Sequence, residues 1–232
     1  MSKAGGAISV LVGAVLLRLA LTGTFQRYVR EGMGWLLVAA GIVIVTVGVV
    51  AFVRALRHAE PADLHDHDHD HGHGVGVGWL LLAPISALLL VAPPTLGSFG
   101  VDRSTSVDIR SGIGVFEPLP RTGTARPMSL LEFSQRAYER SGVSFNRSAV
   151  QLTGFMAGSE EGGFKLARYQ IACCAADAAP IVVRVVGVEG AVPARDQWLV
   201  VTGTFERGGD EDLPELTATS ILDIDAPQDP YE

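Results

Sequence analysis

The stretch Trp35-Leu-Leu-Val-Ala-Ala-Gly-Ile-Val-Ile-Val-Thr-Val-Gly-Val-Val-Ala-Phe-Val53 runs 19 residues without a charged side chain. A helix needs roughly 20 apolar residues to cross the hydrocarbon core of a bilayer, so this stretch predicts a membrane span. Two flanking stretches extend the reading. Residues 8–23 are apolar apart from Arg18, and residues 78–99 carry no charge. An arginine at the end of a span can snorkel to the headgroups or face another helix. Trp35 and Trp79 each open an apolar stretch, as interfacial aromatics do. No small-x-small cleavage site follows the first stretch, so it is expected to be retained rather than removed as a leader. Pro84 is expected to kink the third helix, and Pro93-Pro94 to end it.

Composition divides the chain near residue 100. Residues 1–100 hold six basic and six acidic side chains, so the net charge of −7 falls wholly on residues 101–232. An acidic domain repels phosphate backbones, which argues against nucleic acid as a partner. The expected organisation is a transmembrane region over 1–100, with spans near 8–23, 35–53 and 78–99. A linker over 101–127 and a soluble domain over 128–232 follow. The bilayer is then a partner, and the chain a multi-pass protein of the cell membrane. Arg54 and Arg57 abut the strongest span, and no basic cluster adjoins the soluble domain. Lys3, Arg54 and Arg57 flank one side and Arg27, Arg30, Arg103 and Arg110 the other, so the positive-inside rule divides nearly evenly; the orientation taken, on Arg54 and Arg57, is N-terminus inside and soluble domain extracytoplasmic.

All six histidines lie between the second and third stretches, in a polar loop over 58–77. Its centre alternates His65, Asp66, His67, Asp68, His69, Asp70 and His71, followed by Gly72 and His73. In an extended chain alternate side chains share a side, so the imidazoles line one face and the carboxylates the other. In a helix His65/His69 and His67/His71 are neighbours. Either geometry presents several imidazoles to one ion, which suits Zn²⁺ and also Ni²⁺, Cu²⁺ or Co²⁺. Without a fixed cage such binding is weak and exchangeable. The plainer reading is a hydrophilic linker of low complexity.

The soluble domain opens with a capping box, Ser129-Leu-Leu-Glu132, which predicts a short helix from Leu130 to about Arg140. Five strand-like stretches follow: Val150–Met156, Phe164–Cys173, Pro180–Val186, Gln197–Phe205 and Glu215–Asp223. Gly154 and Gly203 sit where a barrel strand would bend or bulge. Five short strands of this spacing predict a small all-β barrel of the OB type. The fold class expected is therefore α + β: three membrane helices, then an OB-like barrel preceded by a short helix.

The two cysteines are adjacent, in Cys173-Cys174-Ala-Ala-Asp177 at the exit of the second strand. Two thiols with a carboxylate form a second metal site or a redox pair. The plainer reading makes one cysteine a small core residue and the other its neighbour. In a strand the two thiols point to opposite faces unless the strand has already ended. The soluble domain contains no histidine, no G-x-S-x-G and no Walker loop. No catalytic residues and no organic cofactor are expected, and the chain is not expected to be an enzyme.

The His65–His73 tract, the exit Pro93-Pro94-Thr95-Leu96-Gly97, the segment Arg168–Asp177, Trp198 with Gly203, and Asp229-Pro-Tyr231 together resemble a bacterial family of two-component permease subunits, the YcgQ-like membrane proteins. The resemblance covers nearly the whole chain. It implies a larger multi-span permease as partner and a link to zinc handling. The function expected is that of an accessory permease subunit binding a divalent metal through its His-rich loop. The alternative is a membrane-anchored interaction protein whose barrel docks a partner.

Overall fold

The computed structural model describes residues 3–57, 95–103, 114–121, 123–188, 190–207 and 213–232. The chain forms two compact units. One is Met1–Gln26 with Glu31–Pro94; the other is Arg27–Arg30 with Thr95–Glu232.

The first unit contains helices α1 (Lys3–Leu21) and α2 (Gly34–Arg57). They pack through glycines. A Cβ on Gly13 would stand 2.7 Å from Val45 Cγ2, one on Gly41 2.8 Å from Leu17 Cγ, and one on Gly48 2.9 Å from the Val10 nitrogen. Gly6 and Gly13, and likewise Gly41 and Gly48, are one heptad apart, so each pair falls on one seam. Small residues on a seam let backbones approach closely, which is how apolar helices associate where water supplies no hydrophobic drive. The outward side chains include Ile42, Val43, Val47, Val50 and Leu56, all exposed. Thr46 donates its hydroxyl to the Ile42 carbonyl at 2.8 Å, and Ser9 donates to Gly5 at 3.0 Å. Hydroxyls bonded within their own helix can lie in hydrocarbon.

Three spans were expected; among the described residues one helix is long and apolar enough to cross a membrane. That helix, Glu31–Arg57, has a mean hydropathy of 2.9 in its best window, of which only 11% is buried. α1 is apolar over Gly5–Leu21 and shorter than that. The third stretch and the His/Asp tract of residues 65–73 lie outside the described residues, except that 95–99 leads into a one-turn helix, α3 (Ser98–Val101), of the second unit. The multi-pass placement in the cell membrane is therefore corrected to a single candidate span. The extracytoplasmic assignment, which rested on three spans, falls with it. Composition alone misled, because apolarity does not set how far a helix runs.

The second unit is α + β. Strand β1 (Arg126–Pro127) and helix α4 (Leu130–Tyr138) precede β2 (Ala149–Glu160), β3 (Gly163–Gln170), β4 (Ala179–Val186), β5 (Trp198–Glu206) and β6 (Glu215–Ile224). The sheet order is β1-β2-β3-β4-β6-β5, and β2 also pairs with β5. Most pairings are antiparallel, but β1–β2 and β4–β6 are parallel. Ser129 caps α4 by accepting the Glu132 N–H at 2.9 Å, as the capping box predicts. Leu130, Phe133 and Ala137 on α4 share one core with Leu152, Leu166, Val183, Leu199 and Leu216 from the strands. A second cluster gathers Phe155, Tyr169, Trp198 and Tyr231.

The five strands and the helix expected from the sequence are present. The all-β OB-like barrel is corrected: the sheet is mixed and six-stranded, and α4 belongs to its core instead of preceding it. Alternation of side chains marks a strand but not the direction of its neighbour, and a short amphipathic helix does not announce what it covers. Of the two glycines read as bends, Gly203 lies at a register shift, between Thr202 and Gly203. The shift in β2 falls later, between Met156 and Gly158. Gly154 is needed for a different reason, because a Cβ there would stand 2.7 Å from the Ala167 carbonyl oxygen.

Candidate metal site at the β3–β4 turn

Strands β3 and β4 pair from Gly163↔Val186 to Gln170↔Ala179, so residues 171–178 form a loop closed at its base by the ladder. β3 ends at Gln170, before the cysteines. The alternation that would separate the thiols has stopped, and Cys173 Sγ lies 3.6 Å from Cys174 Sγ. Residues Ala175–Asp177 form a single 3-10 turn that brings the carboxylate back over the bend. Asp177 Oδ1 accepts the Ala172 N–H at 2.9 Å, and Oδ2 accepts those of Cys173 at 2.8 Å and Cys174 at 3.4 Å. Ligand atoms of Cys173, Cys174 and Asp177 all lie within 4.8 Å of one another. Cys173 is exposed and Cys174 half-buried.

The electrostatics follow from these bonds. A hydrogen bond to the Asp177 carboxylate, and next one to Cys174, push the Cys173 thiol up to about 12. The thiol of Cys173, then the backbone N–H groups of Cys173 and Ala172, hold Asp177 down at about 2. A carboxylate offers about four lone-pair positions. Three are taken by backbone N–H groups, which leaves one for the Cys173 proton or for an ion that replaces it.

Two further segments of the same compact unit hold the turn. Arg30 donates its N–H to the Cys173 carbonyl at 3.2 Å, and Ala175 donates to the Tyr28 carbonyl at 2.7 Å. Val29 and Cys174 form an antiparallel bridge between these bonds. On the other side the chain end runs beside β3, with Tyr169 bridged to Tyr231. Arg168 gathers the carbonyls of Asp229, Pro230 and Tyr231 at 2.9, 3.2 and 3.0 Å. The Tyr231 hydroxyl donates to the Arg27 carbonyl at 2.7 Å.

Of the sequence-predicted site residues, Cys173, Cys174 and Asp177 are brought together. His65, His67, His69, His71, His73, Asp66, Asp68 and Asp70 lie outside the described residues. Among the described residues the one group that could hold a metal ion is Cys173, Cys174 and Asp177, so the metal-binding potential the structure supports is based on thiols and a carboxylate and not on histidine. The strap Tyr28–Arg30 was missed, since it sits in a short polar connection between two apolar stretches that carries no motif of its own. Arg168 and Asp229-Pro-Tyr231 were noted for resemblance alone, and the structure shows that they bind each other.

Residues 135–232 match the family described as DUF1980 C-terminal domain. No curated protein matches the chain. The family match covers part of the chain and names a domain without an assigned function. It carries no permease assignment, and with one candidate span the multi-span permease expected as partner does not stand. Partner docking on an OB-like barrel falls with the correction to a mixed sheet.

Proposed function

We propose that the chain is a membrane-anchored binding protein, not an enzyme, whose C-terminal domain captures a thiophilic divalent ion, best Zn²⁺, at Cys173, Cys174 and Asp177. The observation that carries this reading is the 3.6 Å separation of the two sulfurs beneath one carboxylate. With a Zn–S bond of about 2.3 Å, sulfurs so placed subtend roughly 100° at the ion, near the tetrahedral angle of about 109°. The bite is therefore set before the ion arrives. Asp177 supplies the third ligand, and exposure leaves a fourth position for water or an incoming ligand. An open, three-ligand site on a surface turn favours capture and release over permanent structure.

Metal capture fits the turn better than thiol redox chemistry. The attacking species in disulfide exchange is the thiolate. With Cys173 pushed up to about 12, its thiol stays protonated at neutral pH. A metal ion displaces that proton directly, because sulfur bound to zinc is deprotonated. The anchor reading rests on α2, whose outward face is apolar and uncovered. A helix of that kind is stable in lipid and costly in water.

The test is titration of the full chain in detergent with Co²⁺ as a spectroscopic stand-in for Zn²⁺. Thiolate-to-cobalt charge-transfer absorption should appear at one equivalent, bleach on adding Zn²⁺, and vanish in Cys173→Ser/Cys174→Ser. Absence of that absorption from the wild-type chain would remove the proposal, whatever other groups hold the ion.

A further inference from the structure

We infer that Tyr28–Arg30 is the positioning element of the metal site, and that ion binding at Cys173, Cys174 and Asp177 is linked to docking of this strap, each strengthening the other. The inference rests on the reading of the β3–β4 turn as a metal site and adds the regulation of that site.

Two ties belong to the turn itself. The β3–β4 ladder closes its base, and Asp177 gathers the N–H groups of Ala172, Cys173 and Cys174. Neither tie uses the Cys173 carbonyl or the Ala175 N–H. The strap takes both: Arg30 donates its N–H to the Cys173 carbonyl at 3.2 Å, and Ala175 donates to the Tyr28 carbonyl at 2.7 Å. These bonds bracket Val29 and Cys174, which makes that bridge the non-hydrogen-bonded kind of antiparallel pair. In such a pair the side chains share a face, with Cβ atoms about 4.5–5.5 Å apart. The Val29 side chain therefore flanks that of Cys174, and Cys174 is the less exposed of the two cysteines. Cys174 is extended, with φ −155° and ψ 169°, the backbone conformation that strand pairing selects. The strap thus fixes the main chain on both sides of one thiol ligand and at the carbonyl of the other.

The strap is held in turn from its far end. The Tyr231 hydroxyl donates to the Arg27 carbonyl at 2.7 Å. Arg168 fixes Tyr231 by binding the carbonyls of Asp229, Pro230 and Tyr231. All of these residues belong to one compact unit. In the chain the strap separates α1 from α2, so its docking is felt at the connection of those helices by covalent continuity alone.

A short backbone pairing on an exposed turn opens at low cost compared with the core ladders. With the strap undocked, the ion must order the cysteine backbone itself. An ion that binds the ordered turn more tightly than the loose one stabilises the docked strap by the same factor, because linkage is reciprocal. A coupling of about tenfold lies in the usual range.

The experiment uses the full chain in detergent, with Co²⁺ titration beside hydrogen exchange read by mass spectrometry on peptides spanning the strap and the turn. Arg30→Pro deletes the N–H given to Cys173 and keeps Val29 extended, since a residue before proline favours that region. Arg30→Gln keeps the N–H and removes the charge. Arg30→Pro should weaken Co²⁺ binding about tenfold, while Arg30→Gln should bind as wild type does. Tyr231→Phe, which unlatches Arg27, should weaken binding in the same direction. In the wild type Zn²⁺ should slow exchange in the strap by about the factor that Arg30→Pro costs in affinity. Equal affinity in wild type and Arg30→Pro, equal loss in Arg30→Pro and Arg30→Gln, or strap exchange indifferent to Zn²⁺ overturns the inference while leaving the metal site intact. If Arg30→Pro does not fold, the wild-type exchange measurement decides by itself. A wild-type chain without thiolate-to-cobalt absorption removes the metal site, and this inference with it.

Discussion

Asp177 Oδ2 accepts the backbone N–H of Cys173 at 2.8 Å, so the residue that closes the turn also governs the thiol it closes upon. The carboxylate pins the bend through three N–H groups, and its charge holds the Cys173 proton in place. Structure and reactivity of the turn are thus set by one side chain.

Asp177→Asn should make Cys173 more reactive. The amide lacks the charge that pushes the thiol up to about 12. Each unit recovered toward the ordinary value raises the thiolate fraction about tenfold at neutral pH. The rate of iodoacetamide labelling at Cys173, followed by mass spectrometry in the metal-free chain, should rise by about tenfold or more. An unchanged rate would mean that the carboxylate does not control the thiol.

Metal binding should release protons, and apparent affinity should climb with pH. The raised Cys173 thiol holds its proton through neutral pH and loses it only toward about 12. Protons therefore compete with the ion over the whole neutral range. Affinity should increase about tenfold per pH unit for each proton displaced. The depressed Asp177 contributes in the opposite direction of pH: its support of the turn is present above the ordinary carboxylate range and is lost as pH falls toward about 2. Calorimetry in buffers of different ionisation enthalpy, between pH 6 and 8, measures the proton count. Zero release would contradict the protonated resting state.

Glu232 should matter to a helix about a hundred residues away in sequence. Its carboxylate oxygens accept the N–H groups of Leu130 and Leu131 at 2.7 and 3.0 Å, at the start of α4. Burial pushes its carboxyl up, and the two N–H groups and Arg168 oppose that shift. Glu232→Ala should cost about 1 kcal/mol, the usual value of a cap that also meets the helix dipole. Chemical denaturation followed by far-ultraviolet circular dichroism reads the change. Stability within a few tenths of wild type would show that Ser129 alone caps α4.

Much of the second unit was legible because its signals are local. The capping box at Ser129 and Glu132 marks α4, and period-two alternation marks the five longer strands. Pairing was not legible, since the parallel contact of β4 with β6 joins residues 184–186 to 215–217 and leaves no trace in either stretch. The cluster was half legible. Cys173-Cys174-Ala-Ala-Asp177 names the donors, but whether the thiols converge depends on β3 stopping at Gln170, which is a property of the ladder. In the first unit the apolar run of α2 was plain, while its glycine seam with α1 needed the partner helix to acquire meaning.

That seam gives a further test. Gly41→Leu would place a side chain against Leu17, where even a Cβ stands 2.8 Å from Leu17 Cγ. Overpacking of this kind costs about 1–3 kcal/mol. The variant should lose protection of α1 from limited proteolysis in detergent, while Ile42→Leu on the exposed face should not. Equal protection in both would place the packing seam elsewhere.

The most direct measurement is the cobalt titration of the full chain beside its Cys173→Ser/Cys174→Ser counterpart. The account predicts one equivalent of thiolate-to-cobalt charge-transfer absorption in the wild type, displaced by Zn²⁺ and missing from the serine variant. A wild-type spectrum without that absorption, or one that survives in the serine variant, would contradict a metal site at the β3–β4 turn.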